Sequence, residues 1–212
     1  MKTMLQTGLG QLGLTLEAAQ EQKLLDYLAL IGKWNRVYNL TAVRDPEEML
    51  SYHLLDSLSA LAPLQRCIKQ HGSKTLLDVG SGAGLPGVVF AICNPDLHVA
   101  CVDTVGKKAA FIQQAAAALC LHNLQGVHNR VEKLQQRYDI VCSRAFASLP
   151  DFVNWSANAL ADNGIWLAMK GKTPEEEIAS LPAWARAFHV EQLRVPGLDA
   201  QRCIVWLQRQ AD

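Results

Sequence analysis

No stretch of this 212-residue chain reaches the roughly 18 consecutive apolar residues that a membrane span requires. The opening MKTMLQTGLGQLG lacks the apolar centre of a secretory leader, so a cytoplasmic location without membrane attachment is expected. There is no C-x-x-C pair among Cys67, Cys93, Cys101, Cys120, Cys142 and Cys203, and several of them sit inside apolar runs. They are read as buried reduced thiols. The six histidines show neither H-x-H nor H-E-x-x-H spacing, so no metal site is expected. Net charge is absent too: 20 Lys plus Arg balance 20 Asp plus Glu, and overall charge does not announce a nucleic-acid partner. Repeats and low-complexity segments are missing, and a monomer is the expected state.

Half the residues are hydrophobic, enough for a large core. The first part reads as helical. Leu24, Leu28, Ile31, Trp34 and Tyr38 recur at three- and four-residue intervals as one apolar, core-facing stripe, with Thr15 as the expected cap and Glu17 in the first turn. Asp45-Pro46-Glu47-Glu48 starts a second helix, carrying Met49, Leu50, His53, Leu54 and Leu58. His53 and Asp56, three apart on it, are expected to form a structural hydrogen-bonded pair.

From about residue 74 strands and helices alternate. KTLLDV, HVACVD, LQGVHN, YDIVCS and GIWLAMK read as strands; GVVFAIC, 107–119, 151–160 and PEEEIASL read as helices. FHVEQLRV and RCIVWLQ, flanking PGLDAQ, form a terminal antiparallel hairpin. The expected architecture is a mainly parallel α/β sheet covered on both faces, Rossmann-like, with residues 1–72 as a helical extension and 73–212 as the core domain.

In LLDVGSGAGLPG the first strand ends in an acid, and Gly80, Gly82, Gly84 and Gly87 follow. Glycines after such a strand permit a tight turn and close approach of a ligand to the backbone. Gly82-Ala83-Gly84-Leu85-Pro86-Gly87 spells the dinucleotide pattern G-x-G-x-x-G, so an NAD-dependent oxidoreductase is one alternative. Asp103, at the end of the second strand, suits a ribose diol in either case. Three details favour S-adenosylmethionine. Asp78, just before the first glycine, would repel a pyrophosphate but attract a methionine ammonium. The glycine cluster begins two residues before the dinucleotide match. The antiparallel hairpin resembles the ending of the methyltransferase variant of the fold.

The end of the fourth strand, CSRAFASL, lacks both the N/D-P-P-Y/F of exocyclic-amine methylation and the Pro-Cys of pyrimidine C5 methylation. An acceptor such as guanine N7 already has an in-plane lone pair, so alignment suffices and no general base is demanded. Arg144 is the candidate catalytic residue, as a positioning group.

DVGSGAGLPG, NRVEKL, CSRAFASL and LAMKGK, with KWNRVYNLTAVRDPEEML and HLLDS upstream, closely resemble the glucose-inhibited division protein B family of bacterial 16S rRNA (guanine-N7) methyltransferases. The resemblance implies a seven-stranded S-adenosylmethionine-dependent methyltransferase fold, and a decoding-region guanine of the small-subunit rRNA as acceptor. It implies that Gly80 and Leu85 contact the donor, that Val131 and Glu132 hold its adenine, and that Arg144 lies beside its methionine end and the entering base. Asp78, Gly82, Gly84 and Asp103 complete the expected cofactor set. Lys170 and Lys172, and more weakly Lys107 and Lys108, are expected on RNA phosphates; eight bases against five acids between 100 and 172 give that region a modest positive excess. A neutral chain suits an assembled subunit that docks by shape better than naked rRNA. The non-enzymatic alternative is a methyltransferase-like rRNA-binding assembly factor.

Overall fold

The computed structural model describes residues 1–210. Two long helices open the chain, α1 (Lys2–Gln11) and α2 (Ala18–Tyr38). Glu17 caps α2, where Thr15 was expected: its side chain accepts from the Gln20 backbone while the Gln20 side chain accepts from Glu17 N at 3.0 Å. The Gln20 amide also donates to the carbonyl oxygen of Ile92, so this reciprocal cap fixes α2 to the sheet-covering layer. The α2 stripe buries Leu24, Tyr27, Leu28 and Ile31, but its apolar period outlasts the core. Trp34 is half-buried against Phe111 and Tyr38 is exposed, because the helix runs past the edge of the layer it covers.

Asp45 caps α3 (Pro46–Met49), accepting from the amides of Glu47 and Glu48, as the sequence indicated. The same rod continues as a π-turn (Leu50–Leu55), then α4 (Asp56–Ser59) and α5 (Leu61–His71). Leu50, Leu54, Leu55 and Leu58 are all buried on it. Gly8 of α1 lets Leu55 approach so closely that a Cβ there would meet Leu55 Cδ2 at 2.5 Å.

Seven strands follow: β1 (Thr75–Val79), β2 (His98–Asp103), β3 (Leu124–His128), β4 (Tyr138–Arg144), β5 (Leu160–Lys170), β6 (Ala185–Leu193) and β7 (Arg202–Arg209). Their order is β3-β2-β1-β4-β5-β7-β6. The first five are mutually parallel, and β7 pairs antiparallel with β5 and β6. The helices between them are α6 (Gly87–Cys93), α7 (Gly106–Ala118), α8 (Leu149–Ser156) and α9 (Glu175–Ala179). Chain order reverses between β1 and β4, and a ligand crevice opens where it does so. The expected hairpin and seven-stranded class are present. Five cysteines are buried thiols, whereas Cys120 is exposed, in a left-handed turn at the end of α7.

One apolar cluster joins Leu5, Leu24, Tyr27, Ile31 and Leu54 to Leu76, Val88, Phe111 and Ile140. The N-terminal helices and the sheet therefore share a core across residue 72. Tyr27 carries that contact to the glycine turn: its buried hydroxyl donates to the carbonyl oxygen of Ala83 at 2.6 Å.

Candidate active site

Two lobes open at the carboxyl ends of the parallel strands. The first, about 430 Å³, is lined by Thr41, Tyr52, His53 and Asp56, by Gly82 and Leu85 of the glycine turn, and by Arg144, Met169 and Arg202. The second, about 470 Å³, is lined by Val102, Asp103, Val105, Lys108, Val131, Glu132, Phe146 and Trp155. Gly80 and Ala145 border both and form the saddle between them. Each is in the left-handed region, Gly80 at φ 65° and Ala145 at φ 51°. Gly80 must lack a side chain because the Phe146 ring lies where its Cβ would be.

The second lobe has the chemistry of a nucleoside site. Val131, Phe146 and Trp155 supply apolar and aromatic surface for a flat ring. Asp103 accepts from Gly82 N at 3.0 Å through one oxygen and from Val105 N at 2.8 Å through the other. A carboxylate has about four lone-pair sites, so both oxygens keep capacity for a diol. Gly82, at φ 59°, has nothing within 4 Å of where its Cβ would stand. The residues present therefore fit an adenosyl donor: an open backbone approach, a diol acceptor and a ring slot. Glu132 is exposed and Val131 buried in the short turn 131–133, and both line this lobe.

Two expected cofactor contacts differ from the structure. Gly84, at φ 89°, faces Val88, Ile112 and the Tyr27 hydroxyl inside the protein and borders neither lobe. Asp78 is fully buried and also borders neither lobe. Its Oδ2 accepts from Gly87 N at 2.9 Å, at the start of α6, and its Oδ1 has no hydrogen-bond partner among the described residues. The strand's alternation turns this side chain beneath the glycine turn, toward Cys101 and Cys142 on the neighbouring strands. Burial raises its pKa to about 7, against the opposing pull of the Gly87 amide and the Arg144 charge.

That shift carries a stability prediction. Between the ordinary carboxylate pKa near 4 and about 7, the folded protein binds more protons than the unfolded chain. The Asp78 contribution is thus fully present at low pH and is lost as pH rises through about 7. Asp78→Asn, which keeps an acceptor for Gly87 N, should flatten the fall in melting temperature between pH 5 and 8 and raise stability at pH 8. A Tm profile parallel to that of the unaltered protein would contradict this.

Arg144 ends β4 and lines the first lobe beside the saddle. Its Nη1 donates to Asp56 Oδ2 at 2.7 Å and to the carbonyl oxygen of Tyr52 at 2.9 Å. Asp56 Oδ1 accepts from Arg202 Nε at 2.8 Å. The expected His53–Asp56 pair is therefore not formed. Asp56 serves the two arginines, and His53 Nε2 meets Thr41 Oγ1 at 2.9 Å. Burial, and then the Arg144 charge, pushes the His53 pKa below its ordinary value. Lys170 also departs from expectation. It lines the first lobe, but its ammonium donates to the carbonyl oxygen of Ala147 and to Glu177 Oε2, both within the protein. Lys172 and Lys107 are exposed, and Lys108 Nζ lies 3.8 Å from Asp103.

Sequence reasoning missed Asp56 and Tyr52 as partners of Arg144, and Arg202, Phe146 and Trp155 as lining groups. HLLDS and CSRAF gave the local signals, but partners 88 and 146 residues apart show no periodicity.

The family described as rRNA small subunit methyltransferase G matches residues 20–205. A ribosomal RNA small subunit methyltransferase G from Polaromonas sp. (strain JS666) is 62% identical over 207 residues, covering 96% of this chain and 92% of the relative. One of the same name from Paracidovorax citrulli is 63% identical over 214 residues, covering 96% and 88%. Among solved structures, a SAM-dependent methyltransferase from Aquifex aeolicus has a TM-score of 0.53 at 16% identity, covering 77% of this chain and 98% of that one. A Thermus thermophilus 16S rRNA methyltransferase in complex with AdoMet and guanosine has 0.51 at 18%, covering 71% and 42%. These two likenesses establish the fold. With a lobe that offers a diol acceptor and apolar ring surface beside an arginine-lined one, and relatives over 60% identical along nearly their whole length, the chain belongs to the rRNA small subunit methyltransferase G family of S-adenosylmethionine-dependent enzymes.

Proposed function

We propose that this chain methylates N7 of a guanine in the decoding-region hairpin of 16S rRNA, acting as a monomer on an assembled small subunit or a precursor of it. The donor supplies an electrophilic methyl group on a sulfonium. Asp103, Val131 and Glu132 would hold its nucleoside in the second lobe, and Gly80 and Gly82 would admit its chain across the saddle. Leu85 and Arg144 would border the transfer point, with the base in the first lobe.

The observation that carries this reading is Arg144. Both hydrogens of its Nη1 are engaged, while Nε and Nη2 have no protein acceptor among the described residues. That free edge can bind O6 of guanine or a carboxylate in a fixed plane. It should not donate to N7, whose lone pair attacks the methyl. Among the described residues the first lobe presents no accessible free base: His53 meets Thr41 through Nε2 while its Nδ1 is buried, and Asp56 is held by two arginines. An acceptor that needs no deprotonation suits such a lobe.

Neutral net charge and the internal engagement of Lys170 support a substrate that docks largely by shape, with Lys172 and Lys107 as the remaining phosphate contacts among the four expected lysines. Mass spectrometry of 16S rRNA from cells lacking the protein should show loss of one 7-methylguanosine. Intact methylation would refute the assignment, and equal turnover on protein-free rRNA would refute the assembled-subunit substrate.

A further inference from the structure

The rod that carries Asp56 departs from α-helical bonding one turn before it. In an α-helix the Asp56 amide would bond to the Tyr52 carbonyl, four residues back. Here it donates to Ser51 O and His53 O instead. The π-turn at Leu50–Leu55 thus leaves the Tyr52 carbonyl without its helical donor, and Arg144 Nη1 takes that place at 2.9 Å. Single π-turns of this kind concentrate at functional sites.

Asp56 completes the grip. Its carboxylate is 3% exposed and holds Arg144 through Oδ2 and Arg202 through Oδ1. Arg202 is fixed at a second point, Nη1 on the Gln201 carbonyl oxygen at 2.8 Å. Each guanidinium is therefore pinned twice, which sets its plane as well as its position. Two guanidiniums against one carboxylate leave the cluster one positive charge in excess, facing the first lobe.

We propose that Asp56 is a positioning residue for methyl transfer: with the carbonyl freed by the π-turn, it holds one edge of Arg144 so that the Nε–Nη2 edge is presented to the acceptor nucleotide before it binds. This rests on the reading of the site as a methyl-transfer centre. An unpinned arginine must lose its side-chain freedom when substrate arrives, and small misplacements at a reacting centre cost heavily in rate. Each oxygen of Asp56 is taken by an arginine, so in this proposal it acts through Arg144.

The test compares the unaltered protein with Asp56→Asn, Asp56→Glu, Arg144→Ala and the double variant Asp56→Asn/Arg144→Ala, using small subunits from cells lacking the enzyme. Asp56→Asn should lower kcat about 30-fold or more while the calorimetric Kd for S-adenosylmethionine changes less than about threefold. Asp56→Glu, which restores the charge, should recover part of the loss. In the Arg144→Ala background, Asp56→Asn should cost less than about twofold further. Turnover of Asp56→Asn within about threefold of the unaltered protein, or an undiminished loss in the Arg144→Ala background, overturns the proposal. Should Asp56→Asn fail to fold, guanidinium ¹⁵N spectra of the unaltered protein decide. Separate, slowly exchanging Nη1 and Nη2 signals for Arg144 are expected, and one averaged signal overturns it. Failure of the unaltered protein to transfer methyl groups would instead strike the functional reading, and the spectra read the clamp independently of turnover.

Discussion

Replacing Arg144 by alanine should lower kcat on the small subunit by about 10²–10³-fold, the range seen when one preorganised hydrogen-bond donor is removed from an active site. Donor affinity should fall much less, since Asp103, Val131 and Glu132 line the other lobe, across the saddle from Arg144. The protein should still fold. Asp56 keeps Arg202 as a counter-charge, so no buried carboxylate is left wholly unpaired. Losing a hydrogen bond between charged groups costs about 1.5–3 kcal/mol, a few degrees of Tm for a chain of this size. Single-turnover kinetics beside calorimetric titration of S-adenosylmethionine separate the two effects. A Kd that rises in step with the loss of kcat would mean that Arg144 binds donor and does little for the acceptor.

The second large effect is expected at Gly82. A Cβ there meets nothing within 4 Å, so Gly82→Ala adds no clash to the unliganded protein. The cost of holding alanine at φ 59° is of order 1–2 kcal/mol. The methyl group would stand in the space through which the donor reaches the backbone. Donor affinity should therefore fall at least about tenfold, one missing close approach being worth 1.4 kcal/mol or more. Gly84→Ala should show the opposite balance. Its Cβ would press on Val88, Ile112 and Tyr27 within the core, so stability drops first. Thermal unfolding and calorimetry on both variants check this. Equal donor affinity for Gly82→Ala and the unaltered protein would remove the backbone-approach role of the glycine turn.

The strand–helix alternation, the hairpin and the glycine turn were legible because each rests on a local pattern. Apolar period, Pro and Gly punctuation, and the Asp45 cap act within a few residues. Asp103 was legible for the same reason: it ends a strand, and strand ends border the crevice. The misreadings share another cause. Asp78 looked like a ligand because it precedes the glycines, but strand alternation turns it inward. Lys170 looked like a phosphate contact until Glu177, seven residues on in α9, folded back to it. Tyr38 continued an apolar period beyond the layer that could bury it. Asp56 looked like a partner for its neighbour His53, whereas its charge is matched from two distant strands. Burial and charge pairing are properties of the assembled fold, and no window of sequence contains them.

The Tyr27 hydroxyl seated on the Ala83 carbonyl has an evolutionary side. Helix α2 borders neither lobe, yet it steadies the turn that lies between them. Under the proposed donor site, drift on its hidden face would be felt as altered cosubstrate appetite.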